Sequence, residues 1–431
     1  MRGRSRQSSP ASGKSDRALD LLNFFVADLN GAFGPYLGIF LLTEAGWNQA
    51  AIGFVAMIGG LATLAAQTPV GAFIDTTRRK RGMIVLAALV LAIGAVAVAL
   101  QPNATLVTLA SVLMALAGTV FPPAVVAITR GIAKPSGLVR RLGRNAAFDH
   151  AGNVTIALTA AAIGTMISQR AVFFLVPICA ALASASVLAV PRAAIDHAQA
   201  RGLEDGATAA HAKPSSLRAL LACPGLAIFA CCVALFHFAN APMLPLVGQK
   251  LALDHKSEAT ALMSACVIAA QLVMLPMAII VGRTADRIGR KPVCLAAFAI
   301  LPIRGVLYTL SNDPFWLVGV QILDGVGAGL FGALTPIFLA DMTRGTGHYN
   351  LSQGVIATIQ GGVVAVSGWL AGLLVVWAGY GAAFLALAAI ACLALFVLLL
   401  GLPETRPNAG ELPVSAPAGE PGSIDIRASG T

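Results

Sequence analysis

Charge is scarce in this chain. Only 11% of its 431 residues are Asp, Glu, Lys or Arg, against 57% hydrophobic, and the mean hydropathy is +0.81. A water-soluble domain carries about a quarter charged residues, so that class is excluded. Aromatics are also few, with 4 Trp and 4 Tyr. The basic residues neither interleave with them nor form a patch, so the net charge of +10 does not describe a nucleic-acid surface. The seven cysteines, Cys179, Cys223, Cys231, Cys232, Cys266, Cys294 and Cys392, fall within or beside apolar stretches without paired metal-ligand spacing, and are read as packing residues. The sequence has no His-Glu-x-x-His, nucleophile-base constellation or acidic metal cluster. No metal, cofactor or enzymatic chemistry is therefore expected.

Long apolar runs are abundant instead. A membrane-crossing helix needs roughly 20 apolar residues, and twelve such segments begin near Ala18, Ala50, Gly82, Thr105, Arg144, Arg170, Cys223, Glu258, Pro292, Pro314, Asn350 and Tyr380, the last closing near Pro403. The expected fold is all-α and integral to the membrane, with twelve transmembrane helices in two pseudo-symmetric six-helix bundles. Of the 29 Lys and Arg, all but Arg170, Lys250, Lys256 and Arg304 lie on the side of the termini and even-numbered loops. The positive-inside rule places both termini in the cytoplasm. Met1 to Arg17 is basic and Ser-rich, and no clear cleavage site follows, so a retained first helix is expected. The expected organisation is a disordered N-terminus (1–17), a first bundle (18–192), a cytoplasmic linker (193–222), a second bundle (223–403) and a disordered tail (404–431).

One loop appears twice. Gly71-Ala72-Phe73-Ile74-Asp75-Thr76-Thr77-Arg78-Arg79-Lys80 and Gly282-Arg283-Thr284-Ala285-Asp286-Arg287-Ile288-Gly289-Arg290-Lys291 each follow an apolar segment, 211 residues apart, the sign of homologous halves in tandem. The same offset maps Gly118 onto Gly329. With a slip of one, Phe24 and Asp28 map onto Phe236 and Asn240, and His150 and Gly152 onto Gln360 and Gly362. An aspartate at such a helix end can accept hydrogen bonds from a neighbouring helix N-terminus or a loop arginine and latch one conformation. The basic residues, by contrast, are also explained by topology and anionic lipid alone.

The doubled loop, the six-plus-six layout and the polar mid-chain linker resemble the major facilitator superfamily over roughly Ala18 to Pro403. The second loop nearly matches that family's signature; the first departs from it, with Arg78 at the usual glycine and Thr76 at the usual basic position. Leu402-Pro403-Glu404-Thr405 is similar to the family's end of span twelve. The resemblance implies an inner-membrane secondary transporter, with gating loops at Gly71, Asp75, Arg79 and Lys80 and at Gly282, Asp286, Arg287, Gly289, Arg290 and Lys291.

Polar groups inside the spans are the substrate candidates, because a charge in hydrocarbon costs several kcal/mol unless it meets a partner or a wet cavity. Asp28, His237 and Asp324 stand near mid-span. Asn30, Asn240, Gln271, Gln321, Gln353 and Gln360 surround them, with Asp149, His150 and Asn153 toward the cytoplasmic side of span five. Structural pairing between helices is the competing explanation for the acids, a satisfied core histidine for His237, and interhelical hydrogen bonding for the amides. Arg304 in span nine is expected to snorkel toward the surface. The glycines at 325, 327, 329 and 332 are expected to admit close helix packing.

The mechanism expected is alternating access of two rocking halves, with Asp28 and Asp324 exchanging a proton for a small organic substrate, in a single chain. Export is the favoured direction, although the family's antiporter features are missing: Ala110 and Ser111 stand where span four carries an arginine, and span five lacks Gly-x-x-x-Gly-Pro. Proton-coupled uptake uses the same residues in reverse. A non-transporting receptor or scaffold is the alternative from another class.

Overall fold

A computed structural model describes residues 10–27, 29, 33–133, 137–196, 199, 224–343 and 349–405. Asp28, Asn30, Cys223, most of the expected linker, residues 1–9 and residues 406–431 lie outside the described residues; the N-terminal segment expected to be disordered is helical from Pro10.

The first half comprises α1 (Pro10–Ala27), α2 (Phe33–Thr43), α3 (Gln49–Thr76), α4 (Lys80–Leu100), α5 (Ala104–Gly118), α6 (Phe121–Ile132), α7 (Leu138–Met166), a 3-10 turn (Arg170–Phe174) and α8 (Leu175–Ala189). The second comprises α9 (Pro224–Asn240), α10 (Met243–Asp254), α11 (Ala259–Ile288), α12 (Arg290–Leu310), α13 (Pro314–Met342) and α14 (Tyr349–Gly401). Among the described residues, nine helical stretches are long and apolar enough to cross a membrane. The last of these contains two passes, because Gly379 adopts φ 83° and breaks α14, a conformation glycine adopts without steric cost. The pair α1 and α2, and the more polar α7, occupy the places of the other two expected spans.

Local chemistry sets the ends. At the end of the bundle remote from the termini, Asn48, Asn103 and Asp313 cap α3, α5 and α13, each side chain accepting from a backbone N–H at 2.8–2.9 Å. Such caps satisfy donors that a helix start leaves open. Prolines divide two spans: Pro122 and Pro123 open α6, and Pro242 separates α9 from α10, each lacking the N–H that would continue the ladder. Discontinuous helices at mid-membrane are a usual setting for transport sites.

Each half has its own apolar core. One runs from Ala18 to Ile195 through Phe121 and Ile128; the other runs from Leu226 to Leu402 around Phe229, Phe298, Phe331 and Phe338. Outward faces are apolar too. Leu86, Leu89 and Ile93 on α4 are more than half exposed, as suits side chains facing lipid tails.

The glycines expected to admit close packing divide into two kinds. A Cβ at Gly325 would overlap Ala270 O, and one at Gly329 would come within 2.9 Å of Met274 O, so this i, i+4 pair seats α13 on α11. Gly332 has no neighbour within 4 Å of such a Cβ.

Candidate functional site

The halves meet through α3 with α14, α7 with α11 and α2 with α10. Their contacts gather at the end remote from the termini. Tyr36 Oη lies 2.8 Å from Ser264 Oγ, Gln49 Nε2 donates to Tyr380 Oη at 2.8 Å and Gln169 Nε2 donates to Lys256 O at 3.0 Å. Lys256 Nζ faces Glu44 at 3.9 Å. Backbones close in beside them, a Cβ at Gly53 falling 2.8 Å from Trp369 Cα. Deeper in the seam, His150 Nδ1 lies 2.8 Å from Gln271 Oε1; along α7 itself, Asn153 Nδ2 donates to Asp149 Oδ2 at 3.3 Å.

At the opposite end, charges join helices of the same half. Asp20, 4% exposed, receives Arg141 at 2.8 Å and Arg144 at 2.6 Å, tying α1 to α7. Arg81 Nη2 donates to Leu188 O at 2.7 Å, and Lys80 Nζ to Thr77 O at 2.7 Å. Asp75 and Arg79 are exposed, while Gly71 lines a cavity of the first half. In the second loop, Arg290 Nε donates to Asp341 at 3.1 Å. The backbone N–H groups of Arg290 and Lys291 both donate to the Glu404 carboxylate, at 2.9 and 3.1 Å. A carboxylate thus sits on the N-terminus of α12, where the helix dipole favours it. Gly289, at φ 107°, makes the corner, Lys291 Nζ donates to Leu399 O at 2.8 Å and Arg287 is exposed. Gly282 and Asp286 lie in α11; the Asp286 side chain is outside the described residues. The residue found on the α12 N-terminus is Glu404, from the end of the last span.

Three cavities line the region between and within the halves. The largest, about 730 Å³, is enclosed by α2, α3, α5 and α6. It shares Gly34, Gly38, Gly60, Thr63 and Gln67 with a second, of about 420 Å³, walled on the other side by Pro242, Gln249, Gly361 and Ala365. The third, about 400 Å³, is lined by residues of the second half. His237, Asn240, Gln353 and Gln360 face it beside Phe236, Phe331, Gly332 and Thr335.

The predicted residues therefore separate into three places. His237, Asn240 and Gln360 converge on the third cavity. His150 stands at the α7–α11 seam on Gln271, and Asp149 accepts from Asn153 on its own helix. Gln321 and Asp324 belong to a buried network between α12 and α13: Arg304 Nη1 pairs with Asp324 Oδ1, Tyr308 Oη donates to Gln321 Oε1, and Gln321 Nε2 donates to Asp324 Oδ2 at 2.9 Å.

Arg304 corrects an expectation. It does not snorkel: it is 1% exposed, lies over the Tyr308 ring at 5.8 Å and pairs inside the half. The physical reason is Asp324, 20 residues on, which α12–α13 packing brings into reach. Arg304 Nε and Nη2 are buried without a hydrogen-bond partner among the described residues, so Asp324 is its compensating charge. Gln67, Gln249 and Tyr308 were not singled out from the sequence, and Glu404 was named only within the motif that ends the last span. Tyr308 was recoverable from its i+4 spacing to Arg304; Gln67 and Gln249 were recoverable as amides within apolar segments.

A helical bundle of this hydropathy, with two cored halves, a one-ended seal and internal cavities, is the architecture of a multi-spanning membrane transporter. Its relatives agree. Residues 19–285 and 226–421 match the Major Facilitator Superfamily. Two uncharacterized MFS-type transporters, from two strains of Mycobacterium tuberculosis, are 46% identical over 389 residues, covering 90% of this chain and 93% of theirs. Crystal structures of the nucleoside transporter NupG share the fold: that of a point mutant matches with TM-score 0.75 at 16% identity over 89% of this chain and 99% of that one, and a second structure with TM-score 0.69. The chain belongs to the Major Facilitator Superfamily. It is a secondary transporter and not an enzyme.

Proposed function

We propose that the protein is a proton-coupled exporter of a small organic molecule, working as a single chain by alternating access. The moving bodies are residues 18–192 and 223–403, in the inner membrane with both termini cytoplasmic. The one-sided seal carries this reading: contacts between the halves cluster at the remote end, while the loops at Asp75 and Asp286 join helices at the other. In this frame the structure corresponds to the cytoplasm-facing stage of the cycle, and those loops form the gate that closes in the next stage. Both walls of the shared cavity come from one chain, which supports a monomeric unit. The distribution of Lys and Arg supports the orientation.

Coupling runs through Asp324. A proton on its carboxylate competes directly with Arg304, so protonation weakens the α12–α13 pair and biases the packing of the second half. Asp28, from the first half, is the second proposed proton site. Asp149, His150, Asn30 and Gln321 are proposed as further polar groups of the cycle, and His237, Asn240 and Gln360, which share one cavity, as substrate contacts.

Proteoliposomes carrying the full chain and an imposed pH gradient test this, with a panel of labelled metabolites and antibiotics that includes nucleosides and sugars. The expected result is gradient-driven accumulation that is lost in Asp28→Asn or Asp324→Asn while solute exchange persists. Full gradient-driven transport by both variants overturns the coupling scheme. Resistance on overexpression supports export, and growth on a sole nutrient supports uptake.

A further inference from the structure

The two halves finish the end that carries the termini with opposite chemistry. In the second half acids neutralise the corner: Arg290 pairs with Asp341 at 3.1 Å, and Glu404 accepts from the N–H groups of Arg290 and Lys291. The offset of 211 maps Arg290 onto Arg79 and Asp341 onto Arg130, and with a slip of one Leu402-Pro403-Glu404 maps onto Val190-Pro191-Arg192. Burial supports that register, since Val190 and Leu402 are both buried just past the last helix of their own half. Both acids of the second corner are therefore arginines in the first.

Among the described residues, no carboxylate forms an ion pair with Arg79, Arg81, Arg130 or Arg192. The Arg81 bond to Leu188 O fixes its guanidinium at the end of the α4–α8 seam, and Arg192 is near enough to act on it as a like charge. Two guanidiniums held together repel unless an anion lies between them, and a phosphate matches their fork of donors. The chain after Arg192 runs on to the end of α6, where Asp196 N donates to Gly131 O at 2.9 Å and Gln199 Nε2 to Ala133 O at 2.7 Å. The Asp196 carboxylate takes the N–H of Gln199 at 3.1 Å. Along the same seam, Leu86, Leu89 and Ile93 on α4 and Leu182 and Leu188 on α8 are each more than two-fifths exposed. A soluble anion would use the arginines alone, whereas a phospholipid uses both surfaces at once.

We propose that an anionic phospholipid seats at this corner of the first half, its phosphate on Arg81 and Arg192 and its acyl chains along the exposed leucines of α4 and α8. The lipid supplies the negative charge that Glu404 supplies in the second half.

Native mass spectrometry of the full-length protein, released from nanodiscs holding equal amounts of phosphatidylglycerol and phosphatidylcholine, reads the retained lipid directly. The expected result is that phosphatidylglycerol is retained at least about tenfold over phosphatidylcholine, and that Arg81→Gln or Arg192→Gln lowers this preference by about fivefold, the worth of one basic residue at a lipid surface. Arg192 is exposed and its side chain has no hydrogen bond among the described residues, so its variant serves if Arg81→Gln fails to fold. Arg192→Glu, which gives the first half the acid of the second, is expected to abolish the preference. Arg140→Gln, an equal loss of charge at the exposed start of α7, is expected to leave it unchanged. Equal retention of the two lipids by the unmodified protein overturns the proposal, and is the result expected if a carboxylate of the chain itself fills the corner. A preference that Arg140→Gln lowers as much as Arg192→Gln also overturns it, as the mark of general surface charge. So does inorganic phosphate alone, if it raises the unfolding midpoint of the protein in phosphatidylcholine nanodiscs as far as phosphatidylglycerol does.

Discussion

Arg304 is the residue on which sequence and structure diverge most usefully. Its guanidinium is held inside the second half by Asp324 and stacked over Tyr308, and removing one member of a buried pair leaves the other uncompensated. Arg304→Leu is therefore expected to lower stability by about 3–5 kcal/mol in thermal unfolding of the detergent-solubilised protein. The double variant Arg304→Leu with Asp324→Leu is expected to recover most of that loss; a double variant no more stable than the single contradicts the pairing. Asp324 and Gln321 were legible as polar residues three apart on one intramembrane helix face. The partner was not, because 20 residues of chain and a turn between helices separate it, and an isolated arginine in a span reads equally well as a snorkelling one. His237, Asn240 and Gln360 line one cavity, each half-buried. Gln249 escaped notice because it lies two to three turns past His237 and Asn240, near the end of an apolar segment.

At the scale of elements, the signature loop is held by a residue from another span. Glu404 accepts from two backbone N–H groups that open α12, a charge-assisted arrangement worth about 1–2 kcal/mol. Glu404→Ala is expected to lower the thermal midpoint and loosen α12 at Arg290, read as faster amide exchange there; unchanged exchange contradicts the contact. The close approach of α13 to α11 gives a second element-level prediction. Gly325→Val and Gly329→Val are each expected to destabilise by about 1–3 kcal/mol through overpacking, whereas Gly332→Ala, whose surroundings are open, is expected to leave the unfolding midpoint within experimental error. The apolar runs made most spans readable by length alone. Their interruptions were harder to place, since the α9–α10 break needs Pro242 to be weighed against a continuous apolar run, and the α14 break depends on a single glycine at positive φ.

At the scale of the whole molecule, the doubled loop disclosed two related halves, and the separate cores anchored at Phe121 and Phe331 are the physical counterpart of that repeat. What the repeat did not disclose is which end of the bundle is closed, because that depends on cross-half contacts such as Tyr36 with Ser264 and Gln49 with Tyr380, none of which has a periodic sequence signal. The central claim is that these halves move as bodies about the cavity between them. Its most direct test is a pair of interspin distances in the reconstituted protein, one between Glu44→Cys and Lys256→Cys at the sealed end and one between Arg79→Cys and Arg287→Cys at the other. On shifting the pH across the coupling range, the account predicts that the first distance lengthens as the second shortens. Distances that both stay fixed, or that change in the same direction, would contradict it.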